Sequence, residues 1–211
     1  DDTLEIGGDG IPVEWAVEMA RFEEEQALDR AAASGRIEPA LALATADAIL
    51  RSHHAAARAD GETWLASIAT IIARNTERFR AVPGLDVNAV NQLDAASRDL
   101  AATLQPLLGD RAERGWVRRC HGDLHLANIA LVDGRPLLFD AIEFDPAIAT
   151  TDVLYDLAFT LMDLIHFGQR KAANALFNRY LAGVSDENIE GLLALPLFLS
   201  IRAAIRAHVL F

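Results

Sequence analysis

Between Cys120 and Asp145 the chain reads CHGDLHLANIALVDGRPLLFDAIEFD, and the Asp133-Gly134 pair inside it leaves little freedom for the local fold. The pair separates two apolar runs, residues 129–132 and 136–139. Both residues tolerate positive φ, which a two-residue hairpin turn demands, so the spacing predicts two antiparallel strands with Asp140 just past the second. Such a hairpin returns whatever follows its second strand to whatever precedes its first. Here those positions are Asp140 and Asn128, and Asp123 stands five residues before Asn128.

The surroundings have a different texture. Residues 23–33 and 40–57 are Ala-rich with helical spacing, broken at Ser34-Gly35, and Glu38-Pro39 opens the second of them. A helix is predicted over Gly61–Arg80, with Trp64, Ile68, Ile71 and Ile72 near one face, before Val82-Pro83-Gly84 interrupts it. Another is predicted over residues 87–105, with Leu93, Leu100 and Leu104 among its apolar positions and Pro106 marking its end. Helices resume from Thr151, where Val153, Leu154, Leu157, Leu161, Leu164 and Ile165 form an apolar face. Ser185 and Asn188 open a last helical region that Pro196 divides or kinks. At the start, the runs TLEI and VEWAVEM around GGDGIP predict a short hairpin over residues 3–20. The whole reads as an α+β chain, predominantly helical.

Composition narrows the function. With 211 residues, 52% of them hydrophobic, the chain can bury a real core. A net charge of −12 argues against a nucleic-acid surface; it would suit a cationic substrate, though plain solubility explains it as well. Cys120 is the sole cysteine, so neither a disulfide framework nor a cysteine-based zinc site is expected, in keeping with a reducing cytoplasm. Uninterrupted apolar runs are too short to predict a spanning helix, and no signal-peptide pattern is present. The first and last residues look like cut ends of a longer chain.

The spacing of Asp123, Asn128 and Asp140 suits phosphoryl transfer, which needs positioning and charge neutralisation more than covalent help. A carboxylate must orient the acceptor hydroxyl and take its proton, and Asp123 fits that task with an ordinary pKa. Magnesium prefers carboxylate and amide oxygens, and the hairpin lets Asn128 and Asp140 supply both to one ion.

HGDLHLANI followed by LLFDAIEFD resembles the catalytic and metal-binding segments of the aminoglycoside phosphotransferase and choline kinase-like families, which share the protein-kinase-like fold. The resemblance implies Asp123 as catalytic base and His121 as the histidine supporting the catalytic loop from behind. It implies Asn128 and Asp140 as magnesium ligands, Glu143 as an acidic neighbour of the metal segment, and Asp156 in DVLYDLAF as a brace of the loop. From about Val13 to Phe211 the chain is similar to a bacterial branch of these proteins often joined to a C-terminal P-loop ATP-binding domain. VEWAVEMARF resembles its hinge, which places Trp15 on the adenine side, and IRAAIRAHV resembles its last helix. Residues 1–20 are then a remnant of the N-lobe hairpin and hinge, and residues 21–211 a helical kinase-like C-lobe. The expected cofactors are Mg2+ with ATP or GTP, and the expected partner is a small-molecule hydroxyl substrate, with no nucleic acid and no membrane.

The nucleotide side is thin. Lys171 is the sole lysine and falls in a late helix, GGDG at 7–10 reads as a turn, and no Walker motif is present, so this segment alone is expected to turn over ATP weakly or not at all. Two other classes stay open. One is a catalytically silent kinase-like module that binds or regulates a fused partner. The other is a metal-dependent hydrolase using His121, Asp123 and His125 for zinc or iron, although His125 also reads simply as a hydrogen-bonding loop residue. His53-His54 reads as a helix-packing or surface pair, Asp145-Pro146 as a turn, and the tryptophans as packing residues. Asp152 and Asp163 are expected to face solvent or cap a helix. Asp156, between Val153 and Leu157 on the buried face, needs partners.

Overall fold

A computed structural model describes residues 5–9, 11–14 and 23–209. Most of the hairpin expected over residues 3–20, and Trp15 with it, lies outside the described residues; residues 5–9 and 11–14 are turn and irregular backbone. After a 3-10 turn at Glu24–Gln26 come α1 (Leu28–Ala33), α2 (Pro39–Ala55), α3 (Gly61–Ala81) and α4 (Val87–Glu113). Next are β1 (Val117–Arg119), a 3-10 turn (Leu126–Asn128), β2 (Ile129–Val132), β3 (Arg135–Leu138), α5 (Pro146–Ala149) and β4 (Thr150–Asp152). The chain closes with α6 (Val153–His166), α7 (Arg170–Ala182), α8 (Asp186–Ile189), a 3-10 stretch and α9 (Leu195–Val209).

The helix starts follow from local chemistry. Pro39 opens α2 with its φ already set, and the Asp60 and Asp86 side chains accept from Glu62 N–H and Asn88 N–H to cap α3 and α4. Pro106 does not end α4, contrary to the sequence expectation. It is exposed, and so is Ala102, so the carbonyl that loses its partner faces water rather than the core. A strand also precedes the helix expected from Thr151. Thr150 and Thr151 are β-branched, and with Asp152 they pair antiparallel with β1, Val117 opposite Asp152. The helix waits for Asp152, whose side chain accepts from Leu154 N–H at 2.8 Å.

Helix α6 is the centre of the molecule. Every residue from Val153 to Leu164 is buried, so it is enclosed on all sides instead of having one wet face. Its N-terminus is locked by Arg111 of α4, whose Nε and Nη2 reach Asp152 at 2.7 and 2.8 Å. Asp152 therefore caps the helix as expected, but from the interior. Around α6 pack α7 and α9, and Tyr155 of α6 stacks edge-on with Trp64 and Phe198, the three ring centroids lying 5.3–6.2 Å apart. Residues 190–209 are long and apolar enough to cross a membrane by length and composition alone. In this fold Leu197, Phe198 and Ile201 face the core, and Arg202 of the same helix is buried against α6.

Candidate active site

The loop between β1 and β2, residues 121–128, carries the candidate chemistry. The 3-10 turn folds Asn128 back onto Asp123, and this is the physical content of the plus-five spacing. Asn128 Nδ2 donates to the Asp123 carbonyl at 2.9 Å and to its Oδ2 at 3.3 Å. His125 Nε2 lies 3.4 Å from the same carboxylate oxygen, so Oδ1 carries neither contact. Burial pulls the Asp123 pKa upward, but the hydrogen bond and charge of His125, with Arg202 and His121, outweigh it and hold the carboxyl below its usual range. Asp123 is thus an ionised, half-buried carboxylate at neutral pH.

His121 is buried and works as a clamp. Its Nε2 donates to the Phe139 carbonyl at 2.8 Å, and its Nδ1 accepts from Asp123 N–H at 3.4 Å. Phe139 N–H in turn donates to the Asn128 carbonyl at 3.1 Å. The residue before Asp140 is therefore tied to both His121 and Asn128, which is how the hairpin delivers Asp140 to the loop. The turn takes the predicted form, with φ of 48° at Asp133 and 74° at Gly134. Asp140 is exposed and adopts a left-handed φ of 59°, unusual for a residue with a side chain and indicative of a position held by its neighbours. Glu143 is exposed beyond it, with no hydrogen bond or ion pair among the described residues; Ile142 N–H returns to the His121 carbonyl at 2.9 Å. Asp145 caps α5, as its turn reading anticipates.

The donor set fits magnesium better than a softer ion. Asn128 spends its amide N–H groups on Asp123, which leaves Oδ1 without a hydrogen bond among the described residues, and Asp140 offers an exposed carboxylate. His121 cannot join a zinc or iron site while both of its ring nitrogens are engaged inside the protein. A second cluster, His53, Cys120 and Asp156, has three candidate ligand atoms within 4.8 Å of one another. Here too the atoms are taken: His53 meets Tyr180 and Asp156, while burial with the Asp156 and Asp152 charges pushes the Cys120 thiol far up, away from the thiolate a metal needs.

Asp156 bonds the start of the loop from α6. It is fully buried and accepts from His121 N–H at 3.3 Å and Gly122 N–H at 2.9 Å. His53 Nε2 lies 3.2 Å away and Arg202 3.8 Å away. Burial raises its pKa, and the His53 hydrogen bond and charge, helped by Arg202 and His121, bring the net value below normal. Gly122 is required for this approach: its φ is +85°, and a Cβ there would meet Ala149 Cα and the Ile148 carbonyl at 3.2 Å. His53 is a residue that local motifs do not reveal, since it arrives from α2. Asp163 corrects the sequence reading, because it is buried and its Oδ2 accepts from Leu126 N–H at 2.9 Å instead of facing solvent.

A model of a phosphotransferase enzyme family matches residues 8–192. The chain belongs to the phosphotransferase enzyme family. Uncharacterised proteins of Mycobacterium bovis and of two Mycobacterium tuberculosis strains are 27% identical to this chain over 209 residues. The match takes in 96% of the chain but 41% of each relative, so the chain spans about two fifths of their length. Two solved glucosamine kinase structures share its fold at 19% and 20% identity, with TM-scores of 0.57 and 0.53. They align over 88% and 86% of the chain and over 52% and 49% of their own. The chain is thus predominantly helical α+β, with the fold seen in those two structures.

Proposed function

We propose that this chain is the acceptor and metal side of a small-molecule kinase, and that its parent moves the γ-phosphoryl group of ATP or GTP to a substrate hydroxyl. The observation that carries the reading is the Asn128 amide, which donates to Asp123 through Nδ2 and leaves Oδ1 for an ion. One side chain thereby fixes the distance between base and metal ligand. Asp123 Oδ2 is held by Asn128 and His125, and Oδ1 receives the proton of the acceptor hydroxyl as that oxygen bonds the γ-phosphorus and the bond from phosphorus to the bridging oxygen breaks, releasing ADP or GDP. Magnesium on Asn128 and Asp140, when bound, neutralises charge on the nucleotide phosphates. His121 keeps the loop and the hairpin end in register while this happens.

Trp15 at the hinge is the adenine-side contact proposed within this chain, the rest of the nucleotide pocket is assigned to other parts of the parent, and a fused P-loop domain is a proposed partner. The acidic surface and the kinase-like fold put amino sugars first among acceptors to try, ahead of neutral sugars and amino alcohols. The test is a phosphorylation panel over those three classes on the full-length parent, with ATP and GTP and with or without Mg2+. Metal-dependent transfer to one class is the expected result. Failure across all three would favour a silent kinase-like module.

A further inference from the structure

Helix α6 presents Asp156, Thr160 and Asp163 at i, i+4 and i+7, one above another on a single face. Each holds a different backbone group of the catalytic loop, in chain order. Asp156 takes His121 and Gly122 N–H, Thr160 Oγ1 donates to the Leu124 carbonyl at 2.7 Å, and Asp163 Oδ2 accepts from Leu126 N–H at 2.9 Å. Helix α9 answers with Arg202 and Arg206, one turn apart, each 3.8 Å from one of the two carboxylates.

The last rung has its own consequence. Leu126 opens the 3-10 turn that ends at Asn128, and the preceding residue, His125, makes no side-chain cap bond to it. A helix start leaves backbone donors without internal partners, and this one is satisfied from another element entirely. We infer that Asp163 is a positioning residue: by capping the Leu126–Asn128 turn from α6, it sets the Asn128 amide and so governs how well the site holds magnesium. Thr160 fixes the carbonyl two residues upstream, so the entry to the turn is gripped at two points. Four bonds from three side chains to successive parts of the loop mean that the register of α6 is the register of the site. The kinetic half of this inference rests on the phosphotransferase reading; the structural half does not.

The test uses the full-length parent carrying Asp163→Ala or Asp163→Asn. The alanine variant should raise the Mg2+ concentration for half-maximal activity about 10-fold, the usual scale for losing a group that orients a metal ligand. Amide hydrogen exchange at residues 126–128 should speed up with it. Asp163→Asn, whose side-chain oxygen can still accept from Leu126, should stay within about 3-fold of wild type on the same scale. Should the alanine variant fail to fold, Asp163→Glu displaces the accepting oxygen while keeping the charge beside Arg206, and must show the same two shifts. An unchanged Mg2+ requirement in an active variant overturns the inference, even if kcat or stability drops, because a merely structural brace would do that. If no variant or wild type transfers phosphate, exchange decides alone: wild-type protection at 126–128 without Asp163 refutes the cap and leaves the phosphotransferase question separate.

Discussion

Asp123→Asn in the full-length parent should lower kcat by about 100- to 10,000-fold, the range spanned by loss of a positioned general base. The substitution is nearly isosteric, so the fold should not register it. Asn128 Nδ2 keeps its 2.9 Å bond to the residue 123 carbonyl, which is main chain, and His121 still accepts from the residue 123 N–H. What disappears is the basic oxygen. The unfolding midpoint and the nucleotide KM should therefore stay close to wild type while kcat collapses. The pH dependence has a definite sign. Because the Asp123 carboxyl sits below its usual range, the base remains ionised as pH falls from neutrality to about 5, and its protonation should not limit the rate there. Steady-state kinetics with a coupled assay read both effects. A variant within 10-fold of wild type would remove Asp123 from the chemistry.

Asp156→Ala should produce the largest loss of stability, about 3–5 kcal/mol, the scale for breaking a buried, multiply bonded ion pair by removing one side. Two backbone N–H groups, the His53 ring and the Arg202 guanidinium would be left facing a void where the carboxylate stood. Urea unfolding measures this as a lower midpoint. Asp156→Asn, which keeps an accepting oxygen, should lose less. The pH sign again follows from the shift. A carboxylate whose folded pKa lies below the unfolded one contributes stability that is complete above the unfolded value and lost as pH falls through the folded one. The gap between wild type and Asp156→Ala should therefore be widest near neutrality and narrow below about pH 4. A loss under 1 kcal/mol at pH 7 would mean that the loop is held by other contacts.

Local chemistry was legible in the sequence, and contacts between distant elements were not. Asp133-Gly134 announced its turn because only two adjacent residues are involved, and Pro39 announced a helix start for the same reason. Asp156 could be read as buried from its apolar neighbours, although which groups it bonds could not. Pro106 misled because a proline costs a helix one bond, and an exposed carbonyl gives that bond to water. Thr150–Asp152 pairs with a strand more than thirty residues upstream, a partner that no local window contains. Asp163 was the costlier miss. Its spacing of seven from Asp156 was visible, but a buried carboxylate with a backbone partner looks, in sequence, like any helical aspartate. His53 lies about a hundred residues from Asp156, and only the packing of α2 brings them together.

The most direct test of the site is to change the chemistry of its metal ligand. Asp140→Cys, made in the full-length parent, replaces a hard oxygen with a thiolate that magnesium binds poorly and that Mn2+ or Cd2+ tolerates better. The activity in Mg2+ should fall by at least about 100-fold and recover in part when Mn2+ or Cd2+ is supplied, while the wild type shows no such preference. Full activity of Asp140→Cys in Mg2+ would contradict the assignment of Asp140, and with it the picture of one hairpin holding both metal ligands beside Asp123.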